Sequence, residues 1–368
     1  MFSQNLLSFI RLAQAMHESS ENIRTRTGTD ATPRLTVVVP NWNGERFLGL
    51  CLSSLRRQSY RDFETVVVDN GSEDGSLALL DREFPEVRAL PLRENRGFSA
   101  AVNAGIGATD AELVALLNND TEQDPGWLSA LVRAADAHPE AGSFTSKLLD
   151  FADRKTLDGA GDALRRSGLP YRLGHGERDR GQYDTPAPVF GACAAAALYR
   201  REMFDEIGPF DEDFFAYCED GDLSFRAQLA GYGCRYVPEA VVYHVGSAST
   251  GGKRSAFATR LGTRNGLLLL VKDLPLPLVP LYLPSILIGQ LVRLGVTALS
   301  PETRRAHLAG LAGALRLLPR MLRKRREVQR RRRVPVAHVG RLLGRSSRAA
   351  GRSILRRLRD QLWERPGR

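Results

Sequence analysis

The sequence contains few cysteines, and the four that it has are widely spaced. Because none forms a C-x-x-C pair, the pattern indicates neither a zinc knuckle nor a disulfide framework, and we expect a reducing compartment. The first 17 residues also lack the basic start and the small-residue cleavage site of a secretory signal, so we expect no signal peptide. Their apolar residues are spaced like one face of a short helix.

Acidic residues are scarce near the end of the chain, which changes the meaning of the net charge of +10. Residues 301–368 contain 21 Lys/Arg and four Asp/Glu, a net charge of +17, which leaves −7 on residues 1–300. This basic tail also has few aromatic side chains on which bases could stack. The charge therefore favours an anionic membrane surface as a partner and argues against nucleic acid.

Hydrophobic residues make up 43% of the 368 residues, which excludes a disordered chain. The length predicts two domains, or one large α/β domain with an appendage. Residues 18–34 are polar and contain Ser, Thr, Gly and Pro, so we assign residues 1–33 to an N-terminal helix and linker.

From residue 35 onward, short apolar runs rich in β-branched residues alternate with segments of helical spacing. We predict strands at 35–40, 65–68, 87–90 and 113–117, and helices at 47–59 and 99–106. This alternation, with short connections, predicts an α/β fold built on a doubly wound, mostly parallel sheet. Such sheets bind their ligands beyond the carboxyl ends of the strands.

Polar clusters follow three of the predicted strands, at residues 40–44, 69–72 and 118–121. Asn, Asp and Gly also suit any strand-to-helix turn, so a single cluster would carry little weight. Three clusters along one edge of one sheet favour a ligand site.

Ordered motifs in the chain resemble glycosyltransferase family 2, specifically its rhamnosyltransferase-like branch. The stretches 69–76, 95–105 and 116–121 resemble the nucleotide-sugar half, and later ones resemble the acceptor half, at 190–193, 200–204, 207–215, 219–223 and 243–244. The resemblance covers residues 34–265 and rests on the whole series. It implies a GT-A fold and the inverting transfer of a sugar from a nucleoside diphosphate donor.

The resemblance also implies which residues bind the nucleotide sugar. Asp69 would accept the ring N–H of uracil or thymine, and Gly97 would allow backbone N–H groups to approach an anion. An exposed polar position on its helix is the alternative for Asn103. The implied binding residues are Pro40, Asn41, Asn43, Asp69, Gly71, Asn95, Gly97, Asn103, Asn118 and Asn119.

A diphosphate leaving group calls for a hard divalent cation, Mg²⁺ or Mn²⁺, with oxygen ligands. By resemblance to the family's D-x-D motif, Asp120 is a metal ligand, and Asn118 stands where the first carboxylate would be. We therefore expect weaker metal binding, with the ion arriving mainly with the donor. His244 matches a family histidine that reaches the metal, although it would also suit a hydrogen-bonded position near the core.

Inverting transfer needs a carboxylate base opposite the leaving group, and residues 218–226 offer three carboxylates. On a helix Glu219 and Asp222 share a face while Asp220 points elsewhere, so spacing alone does not choose among them. These acids could also simply favour a helix N-terminus. The resemblance assigns the base to Asp220, with Glu219 as a supporting group and Asp222 as the partner of a basic residue. We expect residues 211–215 to form the acceptor wall.

Residues 274–292 contain no charged side chain, a length that could span a bilayer. Prolines at 275, 277, 280 and 284 predict that the first half is not a regular helix. We therefore expect an apolar interfacial segment at 266–300, followed by a basic amphipathic tail at 301–368 with arginine clusters at 323–326 and 330–333. This predicts peripheral or monotopic attachment to the cytoplasmic face of the cell membrane.

The leading interpretation is a metal-dependent glycosyltransferase of cell-envelope polysaccharide or glycolipid assembly. Its donor would be dTDP- or UDP-linked, with the branch favouring rhamnose, and its acceptor would be lipid-linked or a glycan. A metal-dependent nucleotidyltransferase is one alternative, but residues 41–44 lack the expected Gly-rich loop with Lys or Arg. A non-catalytic membrane-bound scaffold is another, suggested by Asn118 and opposed by Asp69, Asp120, Asp220 and His244.

Overall fold

The computed structural model describes residues 32–246 and 255–363. The helix predicted near the N-terminus, and almost all of the linker assigned to residues 1–33, lie outside the described residues. From Pro33 onward the chain forms one compact unit. The segments 34–265, 266–300 and 301–368 are therefore parts of one body, and the expected boundary at 265 falls inside a helix.

The described residues form twelve strands and ten α-helices. The strands are β1 (Leu35–Asn41), β2 (Phe63–Asp69), β3 (Arg88–Pro91), β4 (Leu113–Leu117), β5 (Thr121–Gln123), β6 (Ala141–Asp150), β7 (Leu157–Gly159), β8 (Asp162–Leu164), β9 (Pro170–Arg172), β10 (Ala187–Val189), β11 (Ala196–Arg200) and β12 (Gly233–His244). The helices are α1 (Glu45–Arg56), α2 (Ser76–Glu83), α3 (Phe98–Gly107), α4 (Trp127–Ala137), α5 (Arg201–Ile207), α6 (Glu219–Ala230), α7 (Ala256–Asp273), α8 (Val279–Ala298), α9 (Pro301–Arg330) and α10 (Val336–Trp363).

The central sheet runs in the order β10-β12-β6-β11-β4-β1-β2-β3. Its first-half strands β4, β1, β2 and β3 are parallel neighbours, and β6 and β12 form a further parallel pair. Antiparallel β11 joins the two parallel groups. The sheet is therefore mostly parallel, and all four strands and both helices predicted between residues 35 and 117 are confirmed.

Side chains of the central parallel strands β1 and β4 are buried on both faces of the sheet, which explains their continuous apolar runs. Val37 and Val39 pack into one cluster with α1 and α4, whereas Val38 packs into another with α3. Helix α1 ends at Arg56, three residues before the end of the predicted helix. The next turn instead buries Gln58, whose amide donates to the Asp124 carbonyl at 2.8 Å.

The prolines of the apolar segment interrupt the helix over a shorter stretch than predicted. Residues 274–278 lie outside the α-helices and include a 3₁₀ turn at Leu276–Leu278, as expected, but α8 begins at Val279. Pro280 lies in the first turn of α8, where its missing N–H leaves no hydrogen bond unmade. Pro284 lies inside the same helix and removes a single intrahelical bond. The stretch Leu276–Ala298 is long and apolar enough to cross a membrane, by length and composition. Only 11% of its most apolar 18-residue segment is buried inside the protein.

The basic tail folds into two helices that pack against the body. Lys324 of α9 forms ion pairs with Asp211 and with Asp213, the latter at 2.7 Å, and Ser346 Oγ of α10 accepts from the Leu164 N–H at 2.8 Å. Met321 of α9 is completely buried. The tail is thus part of the protein core as well as a source of positive charge.

Candidate active site

Three strand ends bring polar side chains together at one edge of the sheet. Asn41, at the end of β1, donates to Asp69 Oδ1 at 3.0 Å and accepts from Asn119 Nδ2 at 2.7 Å. These three side chains follow β1, β2 and β4 and are all buried. The polar clusters at the carboxyl ends of these strands therefore do meet, as the alternation of elements predicts.

The turns after β1 and β2 are cross-linked to each other. Asn43 has a φ of 48°, in the left-handed region, and its N–H donates to Ser72 Oγ at 2.9 Å. Its side-chain oxygen accepts from the Glu73 N–H at 2.8 Å, while Asp69 Oδ2 accepts from the Ser72 N–H at 3.0 Å. Pro40 lies within β1 itself. The candidate nucleotide-binding residues of both turns thus form one rigid unit.

At two positions of the predicted site only glycine fits, because other parts of the chain lie too close for a Cβ atom. Gly71 has a φ of 72°, and a Cβ there would lie 2.7 Å from the backbone preceding Asn95. Asn95 Oδ1 in turn accepts from the Gly97 N–H at 2.9 Å. A Cβ at Gly97, whose φ is 86°, would lie 2.6 Å from the Phe215 ring. The loop that contains Phe215 thus closes the Cβ side of Gly97, and the approach of the Gly97 backbone to an anion stays a prediction.

The amide of Asn103 makes contacts that the motifs did not predict. Its Nδ2 donates to the Phe210 carbonyl at 2.8 Å, and its Oδ1 accepts from the Phe210 N–H at 3.0 Å. Because both ends of the amide bind the same backbone, Asn103 ties α3 to the loop before residue 211. These contacts give Asn103 a positioning role, and its part in nucleotide binding stays a prediction. The alternative of a simply exposed residue was wrong.

The two candidate metal ligands face each other. His244 ends β12, and its Nε2 lies 3.3 Å from Asp120 Oδ1 and 3.3 Å from Asn118 Nδ2. Its Nδ1 lies 2.7 Å from Asp158 Oδ2, a residue that the motifs did not identify. A carboxylate on the far nitrogen of a histidine is the usual way to orient an imidazole ligand. The side chains present therefore fit a divalent cation held by Asp120 and His244.

The charges of this cluster support one another. Burial alone would lower the pKa of His244, but its hydrogen bonds to Asp120 and Asp158 raise it to about 9. Burial alone would raise the pKa of Asp120, but the hydrogen bond and charge of His244 lower it. The pKa of Asp158 is also lowered, since Arg172, His175 and His244 outweigh its burial. Both carboxylates are thus ionised, the form that metal binding requires. His244 is protonated near neutral pH and would have to lose its Nε2 proton when a cation binds.

The candidate base, Asp220, lies close to a second carboxyl group, that of Asp162. One oxygen each of Asp162 and Asp220 and the Cys193 sulfur lie within 4.8 Å of one another. Burial and the charge of Asp220 raise the pKa of Asp162 to about 8. Burial also raises the pKa of Asp220, while the charge of Arg172 and a hydrogen bond from Asp162 oppose that rise. Burial therefore raises the proton affinity of both carboxyl groups, and because two ionised groups would repel each other, the Asp162–Asp220 pair favours holding one proton between them.

Arg172 connects the two carboxylate clusters. Its Nη1 lies 2.8 Å from Asp158 Oδ2, and its Nε lies 3.8 Å from Asp162 Oδ1. The cluster around His244 and the pair around Asp220 are therefore joined through one guanidinium group. The sequence signal that could have revealed Asp158 and Asp162 is slight: two acids in the glycine-rich stretch 156–162.

Asp222 lies in a buried cluster of ion pairs, and a direct part for it in catalysis stays a prediction. It is fully buried, and its carboxylate lies 2.9 Å from Arg226 Nε and 2.6 Å from Lys272 Nζ. The narrower expectation that it would pair with a basic residue is confirmed. Lys272 also lies 2.6 Å from Asp211. The charged side chains at the end of α7 are therefore buried inside the protein.

Glu219 lies beside the candidate base, Asp220, and the supporting role assigned to it stays a prediction. It is buried, and its Oε2 has no hydrogen-bond partner among the described residues. Burial, followed by the charge of Asp220, raises the pKa of Glu219 well above its usual range. A neutral carboxyl group at this position suits a supporting role better than a role as base.

The loop that leads into α6 is strained and is held by side chains of α7, among them Arg264, which donates to the Phe214 carbonyl at 2.8 Å. Phe215, Tyr217 and Cys218 have φ values of 65°, 67° and 67°, a conformation that costs energy in residues other than glycine. Asn265 of α7, which is fully buried, donates to the carbonyls of residues 214, 216 and 217 at 2.7 to 2.9 Å. The motifs did not identify Asn265 because it lies outside them.

Replacing Asn265 by alanine should lower the free energy of unfolding by about 2–3 kcal/mol, because the carbonyls of residues 216 and 217 lose their side-chain donor and that of residue 214 keeps only Arg264. Denaturant melts monitored by circular dichroism would measure this change. Gln329→Ala is the control, since Gln329 donates to a single carbonyl, that of Asp273, at 2.9 Å. An equal loss in both variants would show that Asn265 does not restrain the loop in this way.

Comparisons with known proteins agree with this geometry. The profile of the family described as Glycosyl transferase family 2 matches residues 36–208. The chain is similar to the N-acetylglucosaminyl-diphospho-decaprenol L-rhamnosyltransferase of Mycobacterium tuberculosis, with 33% identity over 246 residues that cover 61% of this chain and 78% of that protein.

Two solved structures share the fold. The crystal structure of GalNAc-T7 with UDP, GalNAc and Mn²⁺ has a TM-score of 0.57 at 15% identity, and the match covers 79% of this chain and 57% of that one. The mannosyltransferase PcManGT from Pyrobaculum calidifontis, in complex with GDP-Man and Mn²⁺, has a TM-score of 0.50 at 17% identity and covers 96% of this chain and 95% of that one.

The mostly parallel sheet, with its acidic and amide side chains at the strand ends, defines an α/β fold of the GT-A type. The chain belongs to glycosyltransferase family 2.

Proposed function

We propose that this chain is an inverting glycosyltransferase that moves a sugar, with rhamnose as the favoured candidate, from a dTDP- or UDP-linked donor to a hydroxyl group of a lipid-linked acceptor. The reaction would belong to cell-envelope polysaccharide or glycolipid synthesis. One observation carries the proposal: the Asp120–His244 pair and the Asp162–Asp220 pair are joined through Arg172 beside the strand-end edge of the sheet. A cation-binding pair and a base within one charged network are what such a transfer requires.

The nucleotide would lie along the turns that follow β1 and β2. Asp69 would accept the ring N–H of the pyrimidine, and Asn41 would hold that carboxylate through the 3.0 Å hydrogen bond already present. Asn119, which donates to Asn41, would fix the amide from the other side. Because these groups are already mutually bonded, little ordering is needed when the base binds.

Asp120 and His244 would hold a divalent cation, Mg²⁺ or Mn²⁺. When bound, the cation supplies positive charge that stabilises the departing diphosphate. Asp158 would fix the His244 ring through Nδ1, so that Nε2 points toward Asp120. With Asn118 in place of a second carboxylate, the protein contributes less negative charge, which supports an ion that arrives mainly with the donor.

Asp220 would act as the base. Its carboxylate would take the proton of the acceptor hydroxyl as that oxygen attacks the anomeric carbon. The bond between this carbon and the phosphate oxygen breaks, and the nucleoside diphosphate leaves with the electron pair. The proton held between Asp162 and Asp220 would keep Asp220 in one orientation in the resting enzyme. The loop 211–218, which contains Phe215, and Glu219 at the start of α6 would form the acceptor side of the site.

The mycobacterial relative is named for a lipid-linked acceptor, and this supports one here. The exposed apolar surface of α8 and the positive charge of the C-terminal helices support peripheral or monotopic attachment at the cytoplasmic face of the membrane. Such attachment would bring the acceptor-side loop close to lipid-borne substrates.

A donor screen tests the proposal. The full chain is incubated with a panel of dTDP-, UDP- and GDP-linked sugars and Mn²⁺ or Mg²⁺, and the released nucleoside diphosphate is measured. We expect release from a dTDP- or UDP-linked sugar only, with loss of activity after chelation. Release of pyrophosphate from a nucleoside triphosphate and a sugar phosphate would instead identify a nucleotidyltransferase.

Asp162 offers a test of the base through the pH profile. Asp162→Ala removes the hydrogen bond that lowers the pKa of Asp220, so that pKa should rise and the acid limb of kcat/KM should move to higher pH. Asp162→Asn retains an N–H donor and should leave the limb near its original position. If both variants shift the limb equally, or neither does, Asp162 does not support the base.

A further inference from the structure

Helices α8 and α10 enclose a groove of about 680 Å³ that the proposed transfer reaction does not use. Its walls combine two kinds of side chain. Leu278, Leu281 and Tyr282 come from the beginning of α8 and the turn before it, and arginines come from α10 and from the loop after β8. The groove is thus apolar on one side and strongly basic on the other.

Four arginines line the basic side of the groove. Arg341, Arg345 and Arg348 lie on one face of α10 because they are four and three residues apart. Arg166 comes from the loop after β8, and its backbone N–H donates to Ser347 Oγ of α10 at 2.9 Å. All four residues are exposed. Within residues 32–246 and 255–363, none of their guanidinium groups has a carboxylate partner.

The guanidinium groups of two of these arginines converge on Gly344. A Cβ at this position would lie 2.9 Å from Arg166 Nη2 and 3.7 Å from Arg348 Nη1. Arg166 also lies over the Tyr282 ring, 5.6 Å from its centre. Like charges gathered around one groove repel each other unless an anion lies between them, so the arrangement favours a phosphate group.

Several residues of the other basic clusters of the tail make contacts within the protein. Lys324 pairs with Asp211 and Asp213, Arg325 Nη1 donates to the Val271 carbonyl at 2.7 Å, and Arg333 lies 3.0 Å from Glu206. The sequence had singled out these clusters, at 323–326 and 330–333, as the membrane-facing ones. The α10 arginines that line the groove, unlike Lys324, Arg325 and Arg333, are therefore available to bind an external anion.

An apolar surface continues directly from the groove. Leu281, at its edge, is 66% exposed, and Leu287, Ile288 and Leu291 on the following turns of α8 are also exposed. No charged residue interrupts this surface before Arg293. A molecule with a phosphate at one end and hydrocarbon at the other would match both parts of the site.

We propose that Arg166, Arg341, Arg345 and Arg348 bind the phosphate of an anionic phospholipid, whose acyl chains lie against the exposed leucines of α8. This site would set the orientation of the protein on the membrane. The proposal deepens the membrane attachment named under the proposed function, but it does not depend on the transfer reaction.

Vesicle flotation of the full chain tests this site. The triple variant Arg341→Gln/Arg345→Gln/Arg348→Gln is compared with Arg323→Gln/Arg326→Gln/Arg330→Gln, which removes the same charge from exposed positions of α9. On phosphatidylcholine vesicles with about 30% phosphatidylglycerol, we expect the α10 variant to bind at least about tenfold more weakly than the wild type and the α9 variant to change little.

Further arms of the experiment separate the other outcomes. On pure phosphatidylcholine the α10 variant should match the wild type, whereas Leu287→Ser/Leu291→Ser should weaken binding to both kinds of vesicle. Equal losses in the two arginine variants, no loss in either, or a loss of RNA binding without a loss of vesicle binding would overturn the proposal. Donor hydrolysis should be unchanged in both variants, so a failure here is distinct from a failure of the transfer reaction.

Discussion

Replacing Asp220 by asparagine should lower the turnover number for sugar transfer by about 10²–10⁴-fold, the contribution that a positioned general base typically makes. The amide keeps the shape of the side chain but cannot take the acceptor proton. Donor binding should be nearly unchanged, because Asp220 lies with Asp162 and Cys193, apart from the Asn41–Asp69 turns. Steady-state kinetics, with calorimetric titration of the donor, would measure both quantities.

Two further variants make this test specific. Asp205→Asn introduces the same chemical change at an exposed position of α5 and should retain full activity. Glu219→Gln should have a smaller effect than Asp220→Asn, because Glu219 is expected to be neutral. If Asp220→Asn unfolds at the wild-type temperature and still retains most of its turnover, another group is the base.

The second large effect is expected at the candidate cation site. Asp120→Asn removes the one carboxylate that faces His244 Nε2 across 3.3 Å, so the strengthening of nucleotide binding by Mn²⁺ should be lost. Without the cation, the affinity for the nucleotide should change little. Calorimetric titration of UDP and dTDP, with and without Mn²⁺, would measure the difference.

Asp158→Asn is the informative companion variant. It leaves Asp120 in place but weakens the restraint on the His244 ring, so we expect a loss of about 10–100-fold in cation affinity. Asp153→Asn, at an exposed position of the preceding loop, is the control. Equal effects of Mn²⁺ on the wild type and on Asp120→Asn would contradict the assignment of the cation site.

Much of the fold follows from local sequence patterns. The strands near residues 35, 65 and 113 are apolar and β-branched because both faces of the parallel sheet are covered by helices. Successive side chains of a strand point to opposite faces of the sheet, so the position of a residue in the strand decides which face buries it. Strand-end polar residues such as Asn41 and Asp69 could be located in the same way, because a parallel sheet places these ends at one edge.

The contacts that complete the site could not be predicted, because they join segments that are distant in sequence. Asp158 reaches His244 across 86 positions, and β7, which carries it, has only three residues. Asp222 was correctly expected to have a basic partner, but its burial depends on Lys272, which belongs to another helix. Local spacing contains no information on such partners.

The basic tail shows the same limit for charge. Counting residues correctly separated a +17 tail from a −7 body, but it could not show which charges are paired within the protein. Lys324 is held by Asp211, whereas Arg345, with the same formal charge, has no carboxylate partner among residues 32–246 and 255–363. Only the folded arrangement separates a structural charge from one that is available to a ligand.

The most direct test of the central claim is transfer to a lipid-linked acceptor. The full chain, with Mn²⁺ and the donor selected by the screen, is given a synthetic prenyl-diphosphate-linked N-acetylglucosamine, and the product is analysed by mass spectrometry and NMR. We predict addition of one sugar with an anomeric configuration opposite to that of the donor, and no product from Asp220→Asn. Retention of the donor's configuration, or equal product from Asp220→Asn, would contradict the account.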